Sequence, residues 1–214
     1  PMHKPTALFL SIILFAAGLA AQESSLKLPS IFGDNMVLQR DMELRIWGQD
    51  RPNQRVSVSI AGQMVHATAG QHGRWEVKLA PLATSRRGLS MTIRGSGIET
   101  IHNILVGEVW ICSGQSNMQW SVSQSDDPDL ETLTANFPQI RLISVPQVGT
   151  QTPQYDFVGE WTSATPETVA SFSATGYFFG RTLHQVLDVP IGLIDNAGGG
   201  SAAEAWVRRD VLES

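Results

Sequence analysis

The chain has 214 residues, of which 42% are hydrophobic and 16% charged, and this composition is typical of a globular protein with a buried core. Its net charge of −5, without long runs of one sign, argues against nucleic acid or an anionic membrane as a partner, because clustered Lys and Arg recruit both. The single cysteine, Cys112, excludes an intrachain disulfide, and its place on an apolar strand predicts a buried thiol.

Residues 1–21 have the pattern of a signal peptide. His3 and Lys4 precede a short apolar run, and small residues then lead to a cleavage site near Ala20 or Ala21. The alternative is a membrane-anchoring helix, which needs about 20 apolar residues and therefore more than this run provides. We expect a secreted or periplasmic protein without a stable membrane anchor.

Residues 26–105 predict a β-sandwich domain. Short runs of alternating apolar and polar residues indicate strands with one buried and one solvent-exposed face. Turn residues such as Ala61-Gly62 separate these runs. Six strands within about eighty residues are typical of a sandwich. The predicted strands cover residues 43–47, 55–60, 63–67, 75–79, 89–93 and 99–104.

Residues 106–214 predict the first part of an α/β domain with a parallel sheet. Residues 109–111 and 191–194 are almost continuously apolar, as in strands buried on both faces, and residues 139–145 form a third candidate strand. A helix lies before the last strand, with Ser171 or Ser173 as its cap. Its predicted buried stripe consists of residues at spacings of seven, four and three: Phe172, Phe179, Leu183 and Val186.

Ser116 is the candidate catalytic residue. It lies in a small polar turn directly after the apolar strand, and the carboxyl ends of parallel strands are where ligands bind in open α/β sheets. A serine needs a base to take its proton and donors to hold the oxyanion that forms, and its own amide can be one such donor. Met118 stands where the Gly-x-Ser-x-Gly elbow has its last glycine. Spacing alone leaves a nucleophile and a helix-capping serine equally open.

Three segments in the same order resemble the sialate O-acetylesterase family of SGNH (GDSL-like) carbohydrate esterases. Residues 114–118, Gly-Gln-Ser-Asn-Met, resemble the nucleophile block. Residues 28–40 resemble the start of the family's β-rich amino-terminal domain. Residues 189–194, followed by 199–206, resemble its next block, usually written Trp-Gly-Gly-Thr-Pro-x-Glu-Ala-Trp. The resemblance covers nearly the whole chain after the signal peptide.

The resemblance implies a flavodoxin-like, three-layer SGNH domain and a serine esterase that removes acetyl groups from sugar hydroxyls through an acetyl-enzyme. It implies no metal and no cofactor. Ser116 matches the nucleophile, and the amides of Ser116 and Gly199 match the oxyanion hole. Gln115 and Asn117 are candidates for substrate contact or for support of the turn, and local turn hydrogen bonds are the alternative. The alternative for Gly199 is a flexible three-glycine connector.

This sequence departs from the family pattern in two respects. Gly198 replaces the usual Trp and Ser201 the usual Thr, which changes the wall of the acyl pocket. The family's base lies in a late Asp-x-x-His motif, and this chain contains none. We therefore expect an amino-terminal fragment that is inactive and prone to aggregate by itself, since a triad serine without its histidine loses orders of magnitude in rate.

Two alternatives remain open at the level of the sequence. The β-rich part could be a secreted carbohydrate-binding module, in which exposed Trp47 or Trp75 stacks on sugar rings. Within the esterase class, acetylxylan or another acetylated glycan could replace sialic acid as the substrate. The sequence indicates no oligomeric state.

Overall fold

The computed structural model describes residues 24–150 and 152–213. The predicted signal peptide lies outside these residues. Among the residues described, no helix is both long and apolar enough to cross a lipid bilayer.

Within the described residues, strands fill the part before residue 115, and the first helix begins at Ser116. The strands are β1 (Val37–Gln39), β2 (Leu44–Gln49), β3 (Arg55–Ile60), β4 (Gln63–Thr68), β5 (Arg74–Leu79), β6 (Ser85–Arg94), β7 (Ile98–Gly114), β8 (Phe137–Ser144), β9 (Thr162–Ala164) and β10 (Ile191–Ala197). The α-helices are α1 (Ser116–Gln119), α2 (Pro128–Leu133), α3 (Pro166–Val169), α4 (Ala174–Leu187) and α5 (Arg209–Leu212). Single 3₁₀ turns cover Val122–Gln124 and Ala203–Trp206.

The six predicted strands of the β-rich part are all present. β2 and β5 form a two-stranded antiparallel sheet, and β3, β4, β6 and the first half of β7 belong to the larger sheet. Their inward side chains, among them Ile46 and Leu79 from the small sheet and Val58 and Ile93 from the large one, share one hydrophobic core. Ala61 and Gly62 both have positive φ, at 49° and 78°, which is the two-residue hairpin geometry that their sequence predicts.

β7 joins the β-rich part to the parallel part. The sequence predicts two strands, at 99–104 and 109–111, whereas the structure has one 17-residue strand through both. Its first half pairs with β6, and residues 108–114 pair in parallel with β10. The larger sheet is therefore mixed, in the order β4-β3-β6-β7-β10-β8-β9, with β1 beside β7. The division into a β-sandwich domain and an α/β domain at residues 105 and 106 stays a prediction.

Helix α4 packs on the parallel strands through a face that only partly matches the predicted stripe. Phe172 is buried just before the helix and Leu183 packs partly buried against the same core, as predicted. Phe179 and Val186 are instead 41% and 73% exposed, whereas Tyr177 and Gly180 are buried. A Cβ on Gly180 would lie 2.6 Å from Cδ1 of Leu193, so the glycine allows the helix to approach β10 closely. The prediction was wrong for Phe179 and Val186, because close backbone packing leaves no signal in hydrophobic periodicity.

Candidate active site

Two parallel strands end side by side and determine where the candidate residues lie. β7 and β10 pair in register up to Gly114 opposite Ala197, and the amide of Gly198 donates to the carbonyl oxygen of Gly114 at 2.9 Å. Ser116 and Gly199 each follow their strand end by two residues. The strand register therefore brings together two residues that are 83 positions apart in the sequence.

The chain turns sharply after β7 because Gly114 has a φ of +147°, a conformation that residues with a Cβ rarely adopt. Ser116 then begins α1, where the first amide groups of a helix have no partner within it. Its side chain is exposed, and its hydroxyl donates to Oε1 of Gln115 at 3.3 Å. Ser116 is thus reachable from solvent, with its amide at the start of a helical turn.

Gly199 lies against this turn. A Cβ on Gly199 would be 3.7 Å from Cα of Ser116, so the two backbones are in contact range. The Gly199 amide donates to Oε1 of Gln119 at 2.5 Å. The amide proposed for the oxyanion hole is therefore bound to a side-chain oxygen, which must move away before the amide can bind a substrate oxygen.

Helix α1 is fixed to the start of α4. This contact orients the turn at residues 114–119 that carries Ser116, here called the serine turn. The hydroxyl of Ser173 donates to the Met118 carbonyl at 2.5 Å and accepts the amide of Gly176 at 3.0 Å, so Ser173 caps α4 as predicted. The hydroxyl of Thr175 donates to the carbonyl of Asn117 at 3.2 Å. These contacts use backbone groups, and they leave the exposed side chain of Asn117 facing solvent.

Gln115 supports the turn with its own backbone. Its carbonyl accepts the amides of both Met118 and Gln119 at 3.0 Å, which closes the single turn of α1. Its side chain accepts the Ser116 hydroxyl. These are the local turn hydrogen bonds that the sequence offers as the alternative to substrate contact.

A cleft of about 640 Å³ adjoins Gly199, lined by residues 145–150 and 196–201 together with Ala205 and Trp206. Nε1 of Trp206 donates to Oγ of Ser201 at 2.9 Å, and Ser201 donates in turn to the Gly198 carbonyl at 2.6 Å. A side chain at position 198 would begin 3.9 Å from the Trp206 ring. The Trp206 indole therefore forms the wall next to the missing side chain of Gly198, while Ser116 lies on the exposed turn outside the cleft lining.

Two titratable groups lie beneath the strand ends, where Cys112 is buried and Asp195 is half-buried. Burial, followed by the nearby Asp195 charge, raises the pKa of the Cys112 thiol to about 11, which agrees with the buried thiol predicted from sequence. Burial also raises the pKa of Asp195, whose Oδ1 has no hydrogen-bond partner among the described residues. Cys112 and Asp195 face each other in the β7–β10 register, two residues before Gly114 and Ala197.

No histidine of the described residues contacts Ser116. His184 bonds through Nδ1 to the Val189 carbonyl at 2.7 Å, and His102 lies 3.4 Å from the Ser90 hydroxyl in the β-rich part. Among the residues that the structure describes, the site thus contains a serine, two backbone amides and Gln119, and no histidine that could act as its base. Sequence reasoning missed Gln119, because a glutamine at the end of a short helix carries no signal of its own.

The comparisons with known proteins find similar acetylesterases. No protein-family model matches. The chain is 31% identical over 203 residues to sialate O-acetylesterase of Homo sapiens, in an alignment that covers 83% of this chain and 38% of that protein. It is 29% identical to sialate O-acetylesterase of Mus musculus, in an alignment that covers 100% of this chain and 43% of that protein. The crystal structure of a carbohydrate acetylesterase from Xanthomonas citri matches 88% of the chain with a TM-score of 0.84 and 36% identity, over 43% of that protein. The chain therefore spans about two fifths of the length of these relatives, and over that length it is similar to the sialate O-acetylesterase family.

Proposed function

We propose that this chain supplies the nucleophile and part of the oxyanion hole of a serine esterase that removes O-acetyl groups from acetylated sugars. The observation that carries the proposal is the meeting of Ser116 and Gly199 at the in-register ends of β7 and β10. The names of the matched relatives, sialate O-acetylesterase and carbohydrate acetylesterase, support this class of substrate. O-acetylated sialic acid is our first candidate, and acetylxylan the alternative.

The proposed reaction begins with attack of the Ser116 hydroxyl oxygen on the acetyl carbonyl carbon. The carbonyl oxygen becomes negative and is held by the amides of Ser116 and Gly199, after the Gln119 side chain has moved away. A base takes the serine proton and passes it to the leaving sugar oxygen as the ester bond breaks. Water then hydrolyses the acetyl-enzyme to acetate and free serine.

The base must come from outside the contacts described, because no described histidine touches Ser116. A triad serine without its base keeps only the small acceleration that binding and the oxyanion hole provide. We therefore expect the 214-residue chain alone to hydrolyse p-nitrophenyl acetate no faster than its Ser116→Ala variant.

The test of the proposed function places this chain within the full length of a relative. This chain would replace the matching part of the Xanthomonas citri acetylesterase, and acetate release would be measured from O-acetylated sialic acid and from acetylxylan. We expect activity that Ser116→Ala abolishes and that the matched control Ser90→Ala, an exposed serine on β6, retains. A soluble, folded chimera that remains active with Ser116→Ala would contradict the proposal.

Export is a further part of the proposal, supported by the pattern of residues 1–21. Expression of the chain with a carboxyl-terminal tag in a bacterium should give an exported product that begins near residue 21 or 22. Amino-terminal sequencing of the exported fraction measures this, and an intact cytoplasmic product would contradict it.

A further inference from the structure

A second concave site lies on the outer face of the β2–β5 sheet. This cavity of about 570 Å³, here called the aromatic groove, is lined by Arg45, Trp47, Gly48, Thr68, Gly70, Arg74, Trp75, Glu76 and Tyr155. A smaller hollow of about 100 Å³ adjoins it, shares three of these residues and adds one cation and one carboxylate, Lys27 and Asp156. The aromatic groove has no lining residue in common with the cleft beside Gly199.

The strand register explains why its polar and aromatic side chains share one face. Trp47 lies opposite Glu76, and Gln49 lies opposite Arg74 in the antiparallel pair. Alternate residues of a strand point to the same face, so these side chains line the outside while Ile46 and Val77 enter the core. Trp75 is 3% exposed, so the prediction of Trp75 as an exposed sugar platform was wrong. Trp47 is half-buried and remains a candidate platform.

The loop after β8 supplies the second aromatic wall. Asp156 accepts the amide of Ser30 at 2.6 Å, and the Ser30 hydroxyl donates to the Phe157 carbonyl at 2.5 Å. These two bonds fix the loop to the β-rich part and place Tyr155 in the groove. The same loop begins with residues 145–150, which line the cleft beside Gly199.

The aromatic rings are held in place rather than free. The Trp47 ring packs edge-on against Phe32, with 4.6 Å between ring centroids. The guanidinium carbon of Arg74 lies 3.5 Å from the centroid of the Tyr155 ring. A ring fixed in this way offers a flat surface at little cost in side-chain entropy, and flat aromatic surfaces pack against the apolar faces of sugar rings.

The charges of the groove favour an anion. Arg45 and Arg74 are cations, and the only carboxylate among the lining residues is Glu76, whose Oε1 lies 3.9 Å from Nε of Arg45. Arg74 makes no salt bridge with any residue in the described ranges. Its face is occupied by Tyr155, but the N–H groups at the edge of a stacked guanidinium can still bind a carboxylate in a bidentate manner.

We propose that the aromatic groove binds a carboxylated sugar, a sialic or uronic acid residue of a glycan, with Trp47 packing on the sugar ring and Arg74 pairing with the carboxylate. This function is separate from ester hydrolysis and does not depend on Ser116. It gives the β-rich part a binding role, so that the chain would contact a glycan at two places.

Binding to the immobilised 214-residue chain, measured by biosensor, tests the proposal. The probes are N-acetylneuraminic acid without O-acetyl groups, its carboxyl methyl ester, and an acidic peptide of glutamates. We expect saturable binding of the free acid, and binding weaker by about tenfold for the ester and for Arg74→Gln, because one charge-assisted contact is lost. Trp47→Ala should weaken binding to a similar extent.

Matched variants make the result decisive. Arg55→Gln, at an exposed arginine of β3, should leave binding unchanged, as should Ser116→Ala. Far-UV circular dichroism confirms that each variant is folded. No saturable binding of the free acid, equal binding of acid and ester, unaltered binding by folded Arg74→Gln, or equal binding of the acidic peptide would each overturn the proposal. Because Ser116→Ala affects only hydrolysis, failure of this site and failure of the esterase site are told apart.

Discussion

Replacing Gly107 by alanine tests how β7 and β10 are held together. A Cβ at position 107 would lie 1.9 Å from the carbonyl oxygen of Pro190 and 2.7 Å from its carbonyl carbon. Both are backbone atoms, so only separation of the two chain segments can relieve the contact. The same carbonyl accepts the amide of Glu108 at 2.9 Å, and this hydrogen bond would be lost with the separation.

The expected cost follows from these two effects. Overpacking in a close contact costs about 1–3 kcal/mol, and a lost internal hydrogen bond costs about 1 kcal/mol. We expect the free energy of unfolding to fall by about 3 kcal/mol in all. With a urea m-value of about 2 kcal/mol per molar, the midpoint of unfolding should move down by about 1.5 M.

The assay is urea unfolding of dilute protein, followed by tryptophan fluorescence. Gly149→Ala is the matched control, because no atom lies within 4 Å of the added Cβ, and it should leave the midpoint unchanged or slightly higher. A midpoint for Gly107→Ala within error of the unaltered chain would refute the close-contact reasoning.

Three further predictions concern the site and its surroundings. Gln119→Ala frees the Gly199 amide and should raise kcat/KM for acetate release by the chimera. The increase should be up to about tenfold, which corresponds to the free energy of one hydrogen bond. A fall in kcat/KM would show that Gln119 instead positions Gly199. Cys112, with its pKa raised from 9.0 to about 11, stays neutral in the folded chain when the unfolded chain already ionises, so stability should decrease from pH 9 to pH 11. Urea midpoints measure this, and Cys112→Ala should reduce the dependence, leaving the part that comes from Tyr177, whose pKa burial also raises. Ile111 is 66% exposed on a segment of β7 whose second edge pairs with no described strand, so it should promote aggregation. Ile111→Lys should slow the growth of light scattering several-fold without changing the circular dichroism spectrum. Equal growth of light scattering would contradict the prediction.

Strands with one buried and one solvent-exposed face were the best predicted part of the fold. The alternation in residues 55–60 and 75–79 reports directly which side chains are buried, and the structure buries them. The continuity of β7 was missed because Gly107 interrupts the pattern like a turn residue. Its actual role is to allow the Pro190 carbonyl to approach, a tertiary contact that no local pattern records.

For the candidate site, the sequence predicted individual residues but not the contacts between them. Spacing placed Ser116 after a strand, and only the family resemblance selected Gly199 from three successive glycines. The contact between the two depends on strand register, which the sequence does not specify over 83 residues. Gln119 and Asp195 were missed, because the first acts through a side-chain conformation and the second through burial.

The 17 residues of β7 have a consequence for how this protein can be divided. A cut at residue 106 would sever a strand that is hydrogen-bonded on both sides of the cut, to β6 before it and to β10 after it. Limited proteolysis should therefore not release a folded amino-terminal half. A gene fusion that borrows only the aromatic groove must also carry β7 and the chain beyond it as far as residue 157, because Tyr155 lines the groove and Ser30 bonds to Asp156 and Phe157.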